Sequence, residues 1–282
     1  MKLTISSKKA ANYFNVNEST IKRWADSGIL KCYKTAGGHR KFKLEDLRKH
    51  AIANDYQNTN LLFVEKKTRM KSEIIKKDYT VINNKLEKYI LKGNIRLTYE
   101  LLFTLYMNKY SLDEIFDCII KETMKSIGLK WENKTLSIES EHIATNTIIS
   151  SLHQFENIIQ KKVNNKKTAI CAGLENEFHE IGLLCVKIAL EEEGWNVIYP
   201  GINLPVKSLT ELIKKHKSKL LCVSSTFTSN SKSYKHQIKE LKKVSELSGA
   251  KFLFGGENKF TKINKDANCI SIWDLKKYIK EA

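Results

Sequence analysis

Glu177-Phe178-His179-Glu180-Ile181-Gly182 is the stretch of this chain from which the fold is most directly predicted. An apolar run at residues 168–172 precedes it, and its length and composition predict a buried strand. From residue 179 to residue 193, apolar residues recur at helical spacing. His179 is therefore predicted on a strand-to-helix loop at the carboxyl edge of a parallel sheet, where open α/β sheets bind ligands. An imidazole displayed there suits a metal, although in an isolated motif it would more simply cap the helix or lie in solvent.

Three more strands, predicted at residues 195–199, 220–224 and 251–255, end at the same edge of the sheet. Small or polar residues follow each strand: the turn Pro200-Gly201-Ile202-Asn203-Leu204-Pro205, the run Ser224-Ser225-Thr226 and the pair Gly255-Gly256. Together with the loop around His179, these motifs resemble those of the cobalamin-binding domain in type and order. That family has a Rossmann-like α/β fold with a D/E-x-H-x-x-G loop, a G-x-N-x-P turn, a serine at a strand end and a glycine pair.

This resemblance implies a cobalamin site in residues 163–282. In the family the histidine is the lower axial ligand of the cobalt, and this metal-binding role falls to His179. Glu177 stands where many members have aspartate, and a carboxylate there can hold the imidazole tautomer. Gly182 lets a bulky group approach the backbone. The nucleotide tail of the cofactor is expected beside the sheet, and the remaining predicted cofactor-binding residues here are Asn203, Ser224, Thr226, Gly255 and Gly256.

The composition limits the class of protein. The 282 residues allow two or three domains, and the net charge of +18 favours a polyanionic partner, nucleic acid before membrane. A lysine-rich solvated surface is the simpler alternative, so charge alone is weak evidence. The sequence shows no secretory leader, no bilayer-spanning apolar run and no paired zinc spacing among its six cysteines, so we expect a reduced, cytoplasmic protein. Because it shows no catalytic triad, zinc site or phosphate loop, we interpret it as a non-enzyme.

Residues 1–53 have the pattern of a helix-turn-helix followed by a hairpin. Ser6 or Ser7 can cap a first helix, and a second helix is predicted to begin near Glu18. A glycine turn at residues 34–38 joins two short strands predicted at residues 29–33 and 39–42. The segments Thr20-Ile-Lys-Arg-Trp24 and Thr35-Ala-Gly-Gly-His-Arg-Lys-Phe42 resemble the winged helix of the MerR and excisionase families. The resemblance implies binding to operator double-stranded DNA, with the second helix in the major groove.

The same resemblance assigns roles to individual residues. Base reading is predicted for Ser19, Thr20 and Arg23, and backbone contact for Lys22, Lys34, His39, Arg40 and Lys41. Residues 54–77 are a predicted linker that begins as a loop and becomes helical. MerR proteins usually dimerise through a long coiled coil at this point. The linker has no sustained heptad, so that mode of dimerisation is not predicted.

Residues 78–162 carry several helical patterns, which predict a four-helix bundle that caps the cobalamin domain. Trp131 is predicted just past a helix end, and Glu141 and His142 near the start of the last helix. Taken singly, the tryptophan would fill a core, and the other two would be a charge at a helix start and a surface imidazole. Together they match the W-x9-E-H signature of light-sensing B12 regulators, the CarH and LitR group. The whole chain resembles that group in the order of its domains.

This second resemblance implies a light-sensitive upper face. Trp131 would cover the upper face of adenosylcobalamin, and Glu141 and His142 would contact its 5′-deoxyadenosyl group. In the CarH pattern the tryptophan is followed by a histidine that ligates cobalt after light has removed this group, and here that position is Glu132. Water, Glu132 and His142 therefore remain as candidates for the upper ligand after illumination.

We interpret the sequence as a DNA-binding transcriptional regulator, expected to be a repressor, that binds adenosylcobalamin and forms a homotetramer on its operator in the dark. Light would break the cobalt–carbon bond, unseat Trp131 and release the DNA. Two alternatives stay open. One is a MerR-type regulator with a vestigial cobalamin site, and the other is a cobalamin carrier module that serves a methyltransferase or a mutase.

Overall fold

The computed structural model describes residues 4–54, 69–224, 231–256 and 271–280. The chain forms two compact units, Met1–Gln160 and Lys161–Ala282. Thr226 and residues 55–68 of the predicted linker lie outside the described residues. Within the described ranges, no helix has both the length and the apolar character needed to cross a bilayer.

The first unit begins with a helix-turn-helix and a small antiparallel sheet. Its elements are β1 (Thr4–Ser6), α1 (Ser7–Phe14), α2 (Glu18–Asp26), β2 (Tyr33–Lys34), β3 (Arg40–Lys43) and α3 (Leu44–Ala53), and the sheet order is β1-β3-β2. The Ser6 hydroxyl accepts a hydrogen bond from Lys9 N at 3.4 Å, which caps α1 as predicted. The helix-turn-helix and the hairpin are confirmed. The strand predicted from Ile29 begins only at Tyr33, and the three residues of β1 are too few to show a periodicity in the sequence.

The remainder of this unit is a helical cap. It contains α4 (Arg69–Lys76), α5 (Tyr79–Leu91), α6 (Ile95–Met107), a π-helical segment (Glu114–Lys121), α7 (Glu122–Glu132) and α8 (Ile138–Glu156). Asp78 and Asn94 cap α5 and α6 by accepting hydrogen bonds from Val81 N at 3.2 Å and Leu97 N at 2.9 Å. These helices contact one another, and their fully buried side chains include Ile82, Leu86, Leu102, Leu105, Ile119, Ile148 and Leu152.

Two details of the cap differ from the sequence prediction. The π-helical segment runs directly into α7, so the third helical pattern continues further than its apolar residues indicate. As a result α7 includes Trp131, which was predicted just past a helix end and lies instead in the last helical turn. Glu141 and His142 lie in the first turns of α8, as predicted.

The second unit is a Rossmann-like α/β domain with a parallel sheet. Its elements are β4 (Thr168–Leu174), α9 (Ile181–Glu192), β5 (Asn196–Leu204), α10 (Val206–His216), β6 (Leu220–Ser224), α11 (Ser231–Leu247), β7 (Lys251–Gly255) and α12 (Ile272–Lys280). The described strands of this unit are all parallel, and their order in the sheet is β5-β4-β6-β7. On one face of the sheet, Ile170, Leu221 and Phe252 form a core with Leu209 of α10 and Leu241 of α11. Helix α9 packs across β4, β5 and β6 and also against α12.

Strand β5 corrects one prediction. The residues predicted as a turn, 200–204, continue the strand, but the register between β4 and β5 shifts twice along it. Pro200 is tolerated because β5 is an edge strand of the described sheet. A Cβ atom on Gly173 would lie 3.0 Å from Ile202 Cα, so the irregular part of β5 approaches β4 closely only because residue 173 is glycine.

Candidate functional site

The loop that carries His179 is held by its own backbone and by the neighbouring strand. Glu177 N donates a hydrogen bond to Leu174 O at 2.9 Å, which turns the chain immediately after β4. Asn176 N donates to Asn203 Oδ1 of β5 at 2.9 Å, and both asparagines have positive φ angles, 67° and 58°. Asn203, predicted to contact the cofactor, therefore also fixes the start of this loop.

Glu177 fixes the orientation of His179. Its carboxylate is buried, with 1 % of the side chain exposed, and Oε1 accepts hydrogen bonds from His179 N at 2.7 Å and from His179 Nδ1 at 2.6 Å. An ionised carboxylate only accepts, so this contact places the ring proton on Nδ1. Nε2 is then the ring nitrogen that can coordinate a metal. Because 61 % of the His179 side chain is exposed, the imidazole is displayed and not packed, as the sequence predicts.

A second carboxylate of the loop is tied to β5. Tyr199 OH donates a hydrogen bond to Glu180 Oε1 at 2.9 Å, and Lys187 Nζ lies 5.9 Å from the centre of the Tyr199 ring. Burial, together with the hydrogen bond to Glu180, raises the pKa of Tyr199 well above its usual range. The phenol therefore remains a donor that anchors the residue next to His179. Sequence reasoning missed Tyr199, because nothing in a strand pattern distinguishes an anchoring tyrosine from a packed one.

The other predicted residues of the second unit gather at the same edge of the sheet. Ser224 pairs with Gly173 on one side and with Gly255 on the other, so the serine and the first glycine of the pair lie in one row across the strands. Gly256 follows at a φ of 124°, a conformation that favours glycine. Thr226 belongs to the segment that the structure does not describe.

The donor set and the space at this edge fit a corrinoid. Within the described residues, no group of three or more His, Cys, Asp or Glu side chains could hold a metal ion. A corrin ring supplies its own in-plane nitrogen ligands, so a single imidazole from the protein suffices, and the geometry of the Glu177-supported His179 fits that requirement. Apart from its chain neighbours and its own helix, no heavy atom of the described residues would lie within 4 Å of a Cβ atom on Gly182, so the backbone there is open to a bulky group.

In the cap, Trp131 projects from the last turn of α7 with 45 % of its surface exposed. This turn is tied to α5, because Glu87 pairs with Lys130 and accepts a hydrogen bond from Ser126 Oγ at 3.1 Å. An exposed aromatic side chain on a fixed helix end is available to a planar ligand. Glu132, in the next position, is also exposed.

Glu141 and His142 form a linked pair on the first turns of α8. His142 Nδ1 and Glu141 Oε2 are 2.6 Å apart, and Thr145 Oγ1 donates to Glu141 Oε1 at 2.7 Å. The glutamate is thus held in place while the histidine remains exposed. Exposed apolar side chains flank this pair and Trp131 in the sequence: Leu129, Ile138 and Ile143.

The candidate nucleic-acid interface is the outer surface of α2 and the β2–β3 hairpin. Among the predicted residues, Ser19, Lys22, Arg23, Lys34 and His39 are exposed, whereas Thr20 and Lys41 are half-buried. Lys22 Nζ lies 3.1 Å from Glu18 of the same helix. Because this ion pair is exposed, a DNA phosphate could readily replace Glu18 as the partner of Lys22.

Arg40, predicted to contact the DNA backbone, has a second role in the fold. Its Nη2 atom donates to Asp26 Oδ1 at 2.6 Å, and 21 % of the side chain is exposed. Asp26 is the last residue of α2, so this ion pair joins the hairpin to the end of the predicted recognition helix.

Three parts of the chain match known families. Residues 4–54 match a helix-turn-helix domain, residues 167–262 match a B12 binding domain, and residues 82–156 match a second family that is also described as a B12 binding domain. In the first unit, the match at residues 4–54 covers the helix-turn-helix, and the match at residues 82–156 covers most of the helical cap.

Three individual proteins illustrate the likeness. The chain is 20 % identical over 145 residues to the dimethylamine corrinoid protein of Methanosarcina barkeri. The matched stretch covers 51 % of this chain and 68 % of that protein. It is 46 % identical over 41 residues to the transcriptional repressor DcmR of Methylorubrum extorquens, a match that spans only 16 % of the repressor. The structure of the Methanosarcina barkeri monomethylamine corrinoid protein superimposes with a TM-score of 0.60 at 21 % identity, over 72 % of this chain and 98 % of that one, which shows a shared fold.

The chain therefore combines an N-terminal helix-turn-helix domain with B12-binding domains that comprise a helical cap and a Rossmann-like parallel sheet. This combination supports a cobalamin cofactor and a B12-binding transcriptional regulator, and it points to a regulator more than to an enzyme.

Proposed function

We propose that this protein is a transcriptional regulator that binds adenosylcobalamin through His179 and operator DNA through α2 and the hairpin, and that light controls it. The observation that carries the proposal is the Glu177–His179 pair, displayed at the carboxyl edge of a parallel sheet in a chain that begins with a helix-turn-helix. A regulator whose cofactor site is exposed can respond to the supply and the state of that cofactor.

At the sheet edge, the chain's own residues would orient and hold the corrinoid. Glu177 keeps the proton on His179 Nδ1, and Nε2 is the atom that would coordinate the cobalt. Gly182 leaves room beside the loop, and Asn203, Ser224, Thr226, Gly255 and Gly256 would bind the nucleotide tail. When bound, adenosylcobalamin supplies a cobalt–carbon bond that light can break.

In the cap, Trp131, Glu141 and His142 would contact the upper ligand. The exposed Trp131 ring would shield the ligand from water, and the Glu141–His142 pair would hydrogen-bond it. If that ligand were lost, the surface that Trp131 covers would be lost with it, and the last turn of α7 would rearrange. Glu132 and His142 are the side chains that would then face the cofactor, with water as the alternative.

The proposal extends to domain organisation and assembly. We assign residues 1–53 to a MerR-type winged helix, 54–77 to a linker, 78–162 to a four-helix bundle cap and 163–282 to the cobalamin-binding domain. In the dark, a homotetramer would present several winged helices to one operator, and its avidity would exceed that of a single domain. Dissociation of this tetramer would release the DNA, which is the behaviour of a repressor relieved by light.

The test is a visible absorption spectrum of the protein with adenosylcobalamin, in the dark and after green light, with size-exclusion chromatography of both samples. We expect a bound spectrum that is lost in His179→Ala and retained in His216→Ala, an exposed histidine at the end of α10. A dark oligomer should become smaller on illumination. Binding without a change in size would leave a B12-binding regulator without a light switch, and no binding at all would overturn the cofactor assignment.

A corrinoid carrier is the second candidate, because the chain covers two thirds of a corrinoid protein. Titration with duplexes selected from a random-sequence pool separates the two functions. A regulator should bind the selected duplex at least about 1,000-fold more tightly than a mixed-sequence duplex. A carrier should bind both weakly and equally.

A further inference from the structure

Side chains of the helix-turn-helix domain donate hydrogen bonds to backbone carbonyl groups at the carboxyl end of α6. The last four carbonyl groups of a helix have no partner within it, and here they belong to Thr104, Leu105, Tyr106 and Met107. The first two are satisfied locally: Asn108 N donates to the carbonyl oxygens of Thr104 and Leu105, both at 3.0 Å.

The other two carbonyl groups accept hydrogen bonds from side chains of the helix-turn-helix. Arg48 Nε of α3 donates to Tyr106 O at 2.8 Å, and Tyr13 OH of α1 donates to Met107 O at 2.9 Å. The Arg48 guanidinium also lies 3.7 Å from the centre of the Tyr106 ring. A cation at the negative end of a helix dipole, stacked on an aromatic ring, is a favourable and geometrically restrictive contact.

Apolar packing makes this contact a continuous interface. Phe103 and Met107 of α6 belong to the same buried cluster as Tyr13, Phe14 and Leu47 of the helix-turn-helix. Tyr13 and Phe103 are completely buried. Separation of the two parts would expose these side chains as well as two helix-end carbonyl groups.

The same residues reach α8, which carries the Glu141–His142 pair. The Tyr106 ring packs edge-on against Phe155 at 5.7 Å, and its hydroxyl accepts a hydrogen bond from Gln160 N at 3.0 Å. Helix α8 is 19 residues long, and Glu141 lies in its first turn while Phe155 lies in its last. One rigid helix therefore joins the candidate upper-ligand residues to the ring on which Arg48 stacks.

Docking leaves the predicted DNA-reading surface accessible. Tyr13 and Arg48 contact the cap from α1 and α3, whereas Ser19, Lys22 and Arg23 of α2 are exposed. The helix-turn-helix domain in this position can therefore bind DNA. Its contact with the cap orients α2 without covering it.

We propose that Arg48 and Tyr13 are positioning residues that fix the helix-turn-helix on the end of α6 and transmit rearrangement of the cap to DNA affinity. This inference rests on the proposed function. It adds the route by which the state of the cap reaches α2. A shift of α8 or α6 would displace the Tyr106 ring and its carbonyl group. The helix-turn-helix domain would then lose its fixed orientation.

The first test is amide hydrogen exchange of the full chain without cofactor. In the wild type, α3 and the end of α6 should exchange slowly and together. Arg48→Ala and Tyr13→Phe should raise exchange on both sides of the contact by about tenfold, because each leaves one buried carbonyl group without its donor. Arg96→Ala is the matched control, since Arg96 lies on α6, is largely exposed and pairs with Glu100 of the same helix at 3.8 Å.

The second test measures reciprocal linkage. The affinity of the full chain for a selected duplex is compared with and without adenosylcobalamin in the dark, and the ratio is the coupling factor. In Arg48→Ala and Tyr13→Phe this factor should fall below the wild-type value while adenosylcobalamin affinity stays unchanged. Arg48→Lys keeps the charge without the stacked planar donor, so it should restore only part of the coupling.

The outcomes separate this inference from the proposed function. Unchanged exchange in Arg48→Ala and Tyr13→Phe, or a wild-type coupling factor in variants that still bind both ligands, would overturn the positioning role. A wild-type chain that binds duplex equally with and without the cofactor would overturn the proposed switch and the transmission role together. Exchange that rises in both variants would support the docking contact in either case.

Discussion

Glu177 and His179 are joined twice, since Oε1 of the glutamate accepts hydrogen bonds from the backbone N and from Nδ1 of the histidine, at 2.7 and 2.6 Å. One carboxylate oxygen thus sets both the path of the loop and the tautomer of the ring. Because the carboxylate is buried, water does not readily replace either bond.

Replacement of Glu177 by glutamine should weaken cobalamin binding by about 10- to 100-fold, because an amide orients the imidazole less well and makes it less basic. The measurement is a spectroscopic titration with adenosylcobalamin. Glu175→Gln changes an exposed carboxylate of the same loop and should bind like the wild type. Equal affinities for all three proteins would contradict the supporting role of Glu177.

Two glycines at the sheet edge should respond differently to alanine. Gly173→Ala places a Cβ atom 3.0 Å from Ile202 Cα and should destabilise the second unit by about 1–3 kcal/mol. Beyond its own helix, Gly182→Ala meets nothing within 4 Å among the described residues, so it should not lower the melting temperature but should reduce cobalamin affinity. Thermal unfolding and the same titration check both, and wild-type affinity in Gly182→Ala would remove that residue from the proposed site.

Trp131→Ala should distinguish an upper-ligand contact from a structural role. The side chain is 45 % exposed, so the change in stability should be within about 0.5 kcal/mol. Affinity for adenosylcobalamin should fall, while affinity for hydroxocobalamin, which lacks the adenosyl group, should change little. Trp273→Ala removes an exposed tryptophan of α12 and serves as the control. An equal loss for both cobalamins would argue against contact with the adenosyl group.

Arg40 and Arg23 should affect DNA binding in different ways. Arg23→Ala should cost about 1–3 kcal/mol on a selected duplex and relax its sequence preference, without a change in stability. Arg40→Ala and Asp26→Asn should both lower stability by up to about 1 kcal/mol, because each breaks the same ion pair.

The salt dependence of binding then separates a structural Arg40 from a phosphate contact. If Arg40 also contacts a phosphate, Arg40→Ala should reduce the slope of log affinity against log salt by about one. Asp26→Asn should not reduce it. Equal slopes in the two variants would limit Arg40 to holding the hairpin against α2.

The stability of the helix-turn-helix should decrease in mild acid. Burial lowers the pKa of His50 below its ordinary value of 6.5, and the ring packs at 5.5 Å from Phe14 and 5.2 Å from Trp24. The unfolded chain therefore binds a proton more readily, so stability is fully present above pH 6.5 and is lost as the pH falls through the lower folded pKa. Denaturation midpoints between about pH 5 and pH 8 should vary less in His50→Gln than in the wild type. His153→Gln, at an exposed position on α8, is the control for the loss of a histidine as such.

Local patterns in the sequence predicted most elements of the fold. Helix α2 begins at Glu18 and strands β6 and β7 lie where their apolar runs predict them, because caps, glycines and hydrophobic periodicity act over a few residues. The continuation of β5 through Pro200 and of α7 through Trp131 could not be predicted in this way. Pairing with β4 and packing against α5 and α8 override the local preferences of those residues.

By itself, the sequence determined that a helix-turn-helix precedes a helical cap and a parallel sheet, and that His179 lies on a loop at the sheet edge. These features depend on short-range spacing. Only the tertiary structure decided that Arg40 pairs with Asp26, that Arg48 reaches Tyr106 and that Tyr13 reaches Met107, contacts that span 14, 58 and 94 residues. Such contacts arise when separately formed elements bury a common core, and the periodicity of one element does not specify which polar group of another will complete it.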